Sequence, residues 1–363
     1  MSDINIGETI TKEIEETLKK VGMTNILIAG KTGVGKSTLI NQIFHGNLAT
    51  TGQGKPCTQD TKRITKEGIP VSIFDTKGLE IKDYQNILEE LRKFIQQTNN
   101  NTDENEHIHA AWICISEGSA RVEDAEIDLV KMLLELGIPV IGVITKAINN
   151  NGFSAKVKQI LPRGIKNVVR VHALEETIDG NIKIPQMGLE NLVEITSEVI
   201  PEGRRNAFVA AQKASIKQKI SRAHKIVATA AATAAASGAT PIPFSDAVVL
   251  VPIQVGMFAG ISTVFGLDLS KSFLGTLVSS SIGSTAATIG GKAIVSGLLK
   301  CIPGIGTLVG AAISGTTAAL LTTTIGEAYI GTLAALFEAN KGEPPTVEDI
   351  SKKFTESLGQ KKN

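Results

Sequence analysis

The octapeptide GKTGVGKS at residues 30–37 constrains this chain more than any other feature. Its spacing is G-x-x-x-x-G-K-[ST]; an apolar run, NILIA (25–29), precedes it as a strand, and KSTLINQIF (36–44) follows as a helix. Glycines at these intervals let the backbone wrap so that N–H groups point inward at a helix N-terminus, which suits an anion. The pattern therefore predicts a phosphate cradle made by Gly30, Lys31, Thr32, Gly33, Val34 and Gly35, with Thr38 just inside the helix. Lys36 would neutralise β and γ phosphates, and the Ser37 hydroxyl would ligate Mg²⁺.

The rest of the first half alternates short apolar runs with helix-like segments. Strands are expected at 25–29, 61–66, 69–74, 110–116, 138–144 and 167–171, and helices at 36–44, 84–97, 123–136, 154–160 and 188–199. A leading amphipathic helix is expected at 9–21, with Ile10, Ile14, Leu18 and Val21 on one stripe. Such alternation implies an α/β fold with a mostly parallel sheet and helices on both faces. The run QQTNNNTDENEHIH (96–109) reads as a mobile polar loop.

A second element supports the phosphate site. VSIFDTKG (71–78) is an apolar strand ending in Asp-Thr-x-Gly, so Asp75 would hold the metal through water and the Gly78 N–H would meet a γ-phosphate. Between the two lies TTGQGKPCTQDT (50–61), which has the composition of a switch loop; Thr58 is the expected metal-sensing hydroxyl, with Thr51 and Thr61 as alternatives.

These motifs resemble translation-factor-type GTPases. KPCTQDT is similar to the first switch of septin-like and Era-like members, and GKTGVGKST with LIN to the immunity-related and septin-like branch, over residues 24–200. The resemblance implies binding of GTP or GDP with Mg²⁺ and a guanine motif, [NT]-K-x-D, after the fifth strand. GIPVIGVITKAINN (137–150) supplies Thr145 and Lys146 there, but Ile148 stands where the aspartate belongs. VRVHALEE (169–176) occupies the place of the next base-contacting loop, with His172 and Ala173 matching loosely. Leu79 follows Gly78 where a water-orienting glutamine is expected. No catalytic residue is therefore assigned, and intrinsic GTP hydrolysis is expected to be slow unless a partner, a second copy or a nearby loop supplies a group. A homodimer through the GTPase domain follows as an expectation.

The second half has a different composition. Residues 226–336 carry only Asp246, Asp268, Lys271, Lys292, Lys300 and Glu327 as charges, and leave charge-free stretches at 226–245, 247–267, 272–291 and 301–326. Each approaches or exceeds the ~20 residues of a spanning helix. Their Gly, Ala, Ser and Thr content also suits a closely packed soluble bundle. A basic segment ahead of them (Arg204, Arg205, Lys213, Lys217, Lys219, Arg222 and Lys225) favours an anionic membrane surface. Residues 239–271 and 300–330 are similar to a bacterial domain of unknown function found fused to small GTPases and in inner-membrane proteins. Pro241, Pro243, Pro252 and Pro303 are expected to break helices, Gly304 and Gly306 to allow a turn, and Asp246 to cap a helix starting near Ala247.

Formal charge is +1, which gives no global field for nucleic acid, so no DNA partner is expected. Three cysteines without metal-ligand spacing, and a polar N-terminus unlike a signal peptide, fit a reduced cytoplasmic setting with membrane association at its inner face. The expected order is an N-terminal helix (1–22), a GTPase domain (23–200), a basic linker helix (201–225), an apolar helical domain (226–340) and a polar tail (341–363). The favoured function is a membrane-associated GTP-binding switch with slow Mg²⁺-dependent hydrolysis. A soluble nucleotide-binding scaffold with little turnover and a ribosome-associated GTPase are the alternatives.

Overall fold

The computed structural model describes residues 6–58, 61–76, 84–149, 151–178, 181–237, 246–282 and 315–360. The chain divides into two compact units, one spanning Gly22–Ser215 and the other combining Met1–Val21 with Ile216–Asn363. It opens with α1 (Ile6–Val21), which belongs to the second unit.

The α/β unit runs β1 (Thr24–Ala29), α2 (Lys36–Ile43), α3 (Leu48–Thr51), β2 (Gln53–Pro56), β3 (Thr61–Lys66), β4 (Ile69–Thr76), α4 (Tyr84–Asn99), β5 (Ala110–Ser116) and α5 (Asp124–Glu135). It continues with β6 (Val140–Thr145), α6 (Phe153–Ile160), β7 (Asn167–Arg170), β8 (Glu176–Ile178), β9 (Ile182–Ile184), α7 (Leu189–Val199) and α8 (Glu202–Ala211). Seven strands form one sheet in the order β2-β3-β4-β1-β5-β6-β7. β3 is antiparallel to β2 and β4, and the remaining neighbours are parallel. Every residue of β1 is buried. Its side chains alternate between faces as a strand requires: Ile26 and Ile28 join Ile40, Phe44, Trp112, Leu192 and Phe208, while Leu27 and Ala29 join Leu91, Ile95, Leu129 and Leu133. Two apolar layers thus cover one central sheet, as the strand–helix alternation implies.

Three expectations for this half need correction. β2 pairs with β3 although all four of its residues are exposed, so no apolar pattern announces it. Residues 96–109 are tied down by hydrogen bonds: Asn25 Nδ2 donates to the Asn105 and His107 carbonyls (2.7 and 2.8 Å), and Asn105 Oδ1 accepts from Met23 N–H at 2.9 Å. The basic linker is not one helix. Its first part, α8, belongs to the α/β unit, where Phe208 packs edge-on against Phe44 at 6.0 Å.

The helical unit adds α9 (Ile216–Ser237), α10 (Asp246–Phe265), α11 (Lys271–Ile282), α12 (Gly315–Ala339) and α13 (Val347–Gln360) to α1. Its core includes Ile10, Val227, Phe258, Phe265, Leu274, Tyr329, Phe337 and Phe354. Phe258, Tyr329 and Phe354 meet edge to face at 5.2–5.7 Å, and Ser262 Oγ lies 2.8 Å from the Tyr329 hydroxyl. Lys219 is fully buried; its Nζ donates to the Val264 and Phe265 carbonyls at the end of α10 (3.2 and 3.3 Å), and burial pushes its pKa well below the usual lysine range. Lys219 is therefore no part of a solvent-facing basic patch.

Two further corrections follow. Pro252 lies inside α10 and does not end it; Leu250, Val251 and Val255 are buried beside it, and that burial outweighs the lost backbone hydrogen bond. The polar tail contains α13, which turns Ile350, Phe354 and Leu358 into the core at helical spacing. Pro241, Pro243, Pro303, Gly304, Gly306 and the Asp246 side chain lie outside the described residues.

Because Ile10 is 4 % exposed and packs in the helical core, Ile10→Ala should lower the stability of the helical unit by about 2–5 kcal/mol. Calorimetry of the full chain should show that loss in the transition unresponsive to nucleotide. A shift confined to the other transition would put α1 in the wrong unit.

Candidate nucleotide site

In a parallel sheet the carboxyl ends of the strands share one edge, so the ends of β4, β1, β5, β6 and β7 gather there. The loop after β1 turns at Gly30, with φ 149°, and passes so close to β5 that a Cβ would lie 2.3 Å from the Cys114 carbonyl oxygen. Only glycine fits that approach. Gly33 and Gly35 also hold positive φ (74° and 104°), and Gly35 is the N-cap of α2 without a side-chain cap. Lys36 folds back over the loop, its Nζ donating to the Gly30 carbonyl at 2.8 Å and the Lys31 carbonyl at 3.3 Å.

Charged groups border this cradle. Lys31 pairs with Glu123, and Arg121 Nε lies 3.0 Å from the same carboxylate. The Lys31 hydrogen bond, with the charges of Lys31 and Arg121, holds the Glu123 carboxyl below its usual range against some desolvation. Asp75, at the end of β4, pairs in register with Lys62 on β3 and Ile28 on β1. Its Oδ1 and the Thr76 hydroxyl are buried without a partner among the described residues. Burial raises the Asp75 pKa, while Lys36 and Lys62 pull it down.

The residues present fit a Mg²⁺-nucleoside phosphate. The glycine cradle and Lys36 would hold the phosphates, and the unpartnered Asp75 carboxylate with the exposed Ser37 hydroxyl would hold the metal, which would screen phosphate charge. The Thr58 N–H donates to the Thr61 carbonyl at 3.2 Å, beside the Thr61–Thr76 strand pair. The Thr61 side chain is buried in the sheet. Gly78, Leu79, Lys77 and Glu80 lie outside the described residues, as does the Thr51 side chain.

On the other side of the loop, two bonds tie β6 to the cradle. The Thr145 hydroxyl donates to the Val34 carbonyl at 2.7 Å, and Lys146 Nζ donates to the Gly33 carbonyl at 2.7 Å. A cleft opens here, lined by Gly35, Thr38, Lys146, His172, Ala173 and Glu176 among others. The structure thus brings Thr145, Lys146, His172 and Ala173 together around the cradle. Ile148 is 44 % exposed and absent from the cleft lining.

Sequence reasoning missed Glu117, which follows β5. Its carboxylate accepts the Ile148 and Asn149 N–H groups at 2.6 and 2.8 Å, and Arg170 Nε and Nη2 at 2.9 and 2.7 Å. Burial works against ionisation, but the Arg170 hydrogen bond, the two N–H bonds and the Arg170 charge together lower its pKa. No motif spacing marks this residue; only the fold brings positions 117, 148 and 170 together.

Glu117→Ala should destabilise the α/β unit by about 2–3 kcal/mol, since a largely buried arginine and two loop N–H groups lose a charged acceptor. A group with a depressed folded pKa stabilises fully above its unfolded value, near 4.5 here, and loses that contribution as pH falls through the folded value. The gap between parent and variant in urea unfolding should therefore be constant near neutrality and shrink in acid below that range. A gap that is independent of pH there would contradict the pairing.

Residues 25–146 match the model of the 50S ribosome-binding GTPase family, and residues 204–360 match a domain of unknown function (DUF697). Cell division control protein 10 of Saccharomyces cerevisiae is 25 % identical over 251 residues, covering 58 % of this chain and 78 % of that protein. The chloroplast translocase 108 of Physcomitrium patens is 39 % identical over 79 residues, 20 % of this chain and only 8 % of its own length. Among solved structures, Era bound to MgGDPNP and ribosomal RNA aligns with 18 % identity and a TM-score of 0.32, covering 55 % of this chain and 67 % of that one. GTPase domains of the matched family bind GTP or GDP with Mg²⁺. The chain joins a P-loop GTPase domain of that family to a helical domain of unknown function.

Proposed function

We propose that this protein is a GTP-controlled switch: it binds GTP with Mg²⁺ through the α/β unit, hydrolyses it slowly, and passes the nucleotide state to a helical unit that associates with a membrane surface. The observation that carries the reading is the convergence of the glycine cradle, Lys36 and the unpartnered Asp75 carboxylate at one sheet edge. Slow turnover follows from Leu79, whose apolar side chain cannot orient water. Turnover is then expected to rise when two copies meet through the GTPase domain.

Support for the membrane comes from composition. α12 is 25 residues long and contains an 18-residue window of mean hydropathy 1.3, half of which is buried, which fits contact at a surface better than a full crossing. The basic segment adds attraction to anionic lipid, though less than its charge count suggests because Lys219 is internal. The ribosome-binding description of the matched family motivates one competing reading, a ribosome-associated GTPase; co-sedimentation with ribosomes in any nucleotide state would favour it.

Purified protein should release phosphate from GTP over multiple turnovers, with a rate per molecule that increases with protein concentration, and Lys36→Ala should abolish it. A rate per molecule independent of concentration would remove the dimer from the proposal, and no turnover at all would leave a nucleotide-binding scaffold. Flotation with anionic liposomes, loaded with GDP or a non-hydrolysable GTP analogue, tests the membrane limb. Floating protein that is lost from the lipid fraction on Leu320→Glu, at an exposed position of α12, is the expected result. Protein that stays in the soluble fraction in both nucleotide states would point to a protein partner instead.

A further inference from the structure

We propose that Glu176 supplies the carboxylate that reads the guanine base, in place of the aspartate that Ile148 displaces. The proposal rests on the nucleotide-switch reading above. The Watson–Crick edge of guanine presents N1–H and the N2 amino group, two donors that call for an anionic acceptor; adenine offers an acceptor at N1 and no amino group at C2. Isoleucine has no acceptor, so a guanine-selective site in this chain needs a carboxylate from elsewhere.

Glu117 and Glu176 both stand near the base-side loops, and the geometry separates them. Glu117 is committed: its two oxygens already accept from Arg170 and from the Ile148 and Asn149 N–H groups, which fixes the loop after β6. Glu176 is the one acidic side chain among the residues lining the cleft beside the cradle. It begins β8, whose antiparallel partner β9 holds it through the Glu176–Ile184 pair, and its side chain is 53 % exposed. The carboxylate is therefore both anchored at its backbone and open to a ligand.

A second observation points to the same cleft. His172 is 3 % exposed, yet neither of its ring nitrogens has a hydrogen-bond partner among the described residues. Its backbone is fixed by a reciprocal pair of bonds with Met187 at 3.0 Å, and its Nε2 lies 4.0 Å from Glu176 Oε2. An unpaired buried imidazole beside an open carboxylate is costly unless a ligand with complementary polar atoms occupies the space. A guanine, carrying donors and an acceptor on adjacent edges, has that chemistry. Lys146, held across the loop to Gly33, lines the same cleft.

The test is competition binding on the full-length protein in Mg²⁺, with a fluorescent GDP displaced by GDP, IDP, XDP and ADP. IDP lacks the N2 amino group, and XDP carries an oxygen there. The parent should prefer GDP over IDP and reject XDP and ADP. Glu176→Gln should weaken GDP by about 10- to 100-fold, the loss expected for hydrogen bonds to a charged acceptor. It should also close the GDP–IDP gap and improve XDP relative to GDP, because the amide N–H₂ can donate to the xanthine oxygen. Glu175→Gln, one residue away and outside the cleft lining, should keep the parent's order. Circular dichroism checks that each variant is folded. A Glu176→Gln protein that retains the parent's GDP:IDP:XDP ratios, or weakens all four nucleotides equally, would overturn the assignment while leaving the nucleotide site intact. A parent that binds none of the four would overturn the nucleotide reading and this assignment with it.

Discussion

The near-collision of the backbone at Gly30 with the Cys114 carbonyl is the constraint on which the site depends. A side chain at residue 30 would push the loop off β5, because its first carbon would sit 2.3 Å from a strand carbonyl oxygen. With glycine the loop can hug the strand ends, and Lys36 can reach back to the Gly30 carbonyl. The cradle is thereby pressed onto the edge where Asp75, Glu117 and Thr145 emerge from neighbouring strands. Because those strands are parallel and covered by apolar layers, their carboxyl ends converge at this edge.

Short polar links then fix the loop from both sides. Glu123 draws Lys31 toward the start of α5, while Thr145 and Lys146 draw Val34 and Gly33 toward β6. These ties are spread over residues distant in sequence, so the geometry of the loop is set by the order of strands and not by the octapeptide alone. Asp75 is the exception to this saturation. A carboxylate oxygen buried without a partner among the described residues, next to a hydroxyl in the same condition, is where a bound group would meet the polar demand.

The sheet and its covering helices were legible because apolar period and turn chemistry agree along residues 24–200, and the phosphate cradle because its spacing is dictated by backbone geometry. What escaped did so for specific reasons. β2 is exposed along its whole length and is stabilised by pairing with β3 alone, which leaves no hydrophobic signature. α13 hides three core residues, Ile350, Phe354 and Leu358, among lysines and glutamates that face outward. Pro252 reads as a breaker by its chemistry, but a helix whose neighbours are buried on several sides retains more than one missing bond costs. Glu117 and Glu176 belong to no spacing rule. Strand order joins Glu117 to positions 148 and 170, and pairing with β9 sets the backbone of Glu176.

The helical unit shows why composition alone does not separate a bilayer helix from a packed one. α12 and α9 approach so closely that a Cβ at Gly326 would lie 2.6 Å from a Val227 methyl, and one at Gly315 would lie 2.3 Å from the Ala235 carbonyl. Small residues serve that contact equally well in lipid and in water. The polar groups discriminate better. Lys219 is buried against the end of α10, and the Tyr329 hydroxyl is paired with Ser262 within the aromatic cluster. Each is satisfied by a partner within the described part of the unit itself. Gln254 Nε2 and Thr263 Oγ1 on α10 are buried without a partner among the described residues, so the core meets part of its own polar demand. Lipid contact would then fall on the exposed parts of α12, such as Leu320, which is 50 % exposed, leaving the aromatic cluster intact.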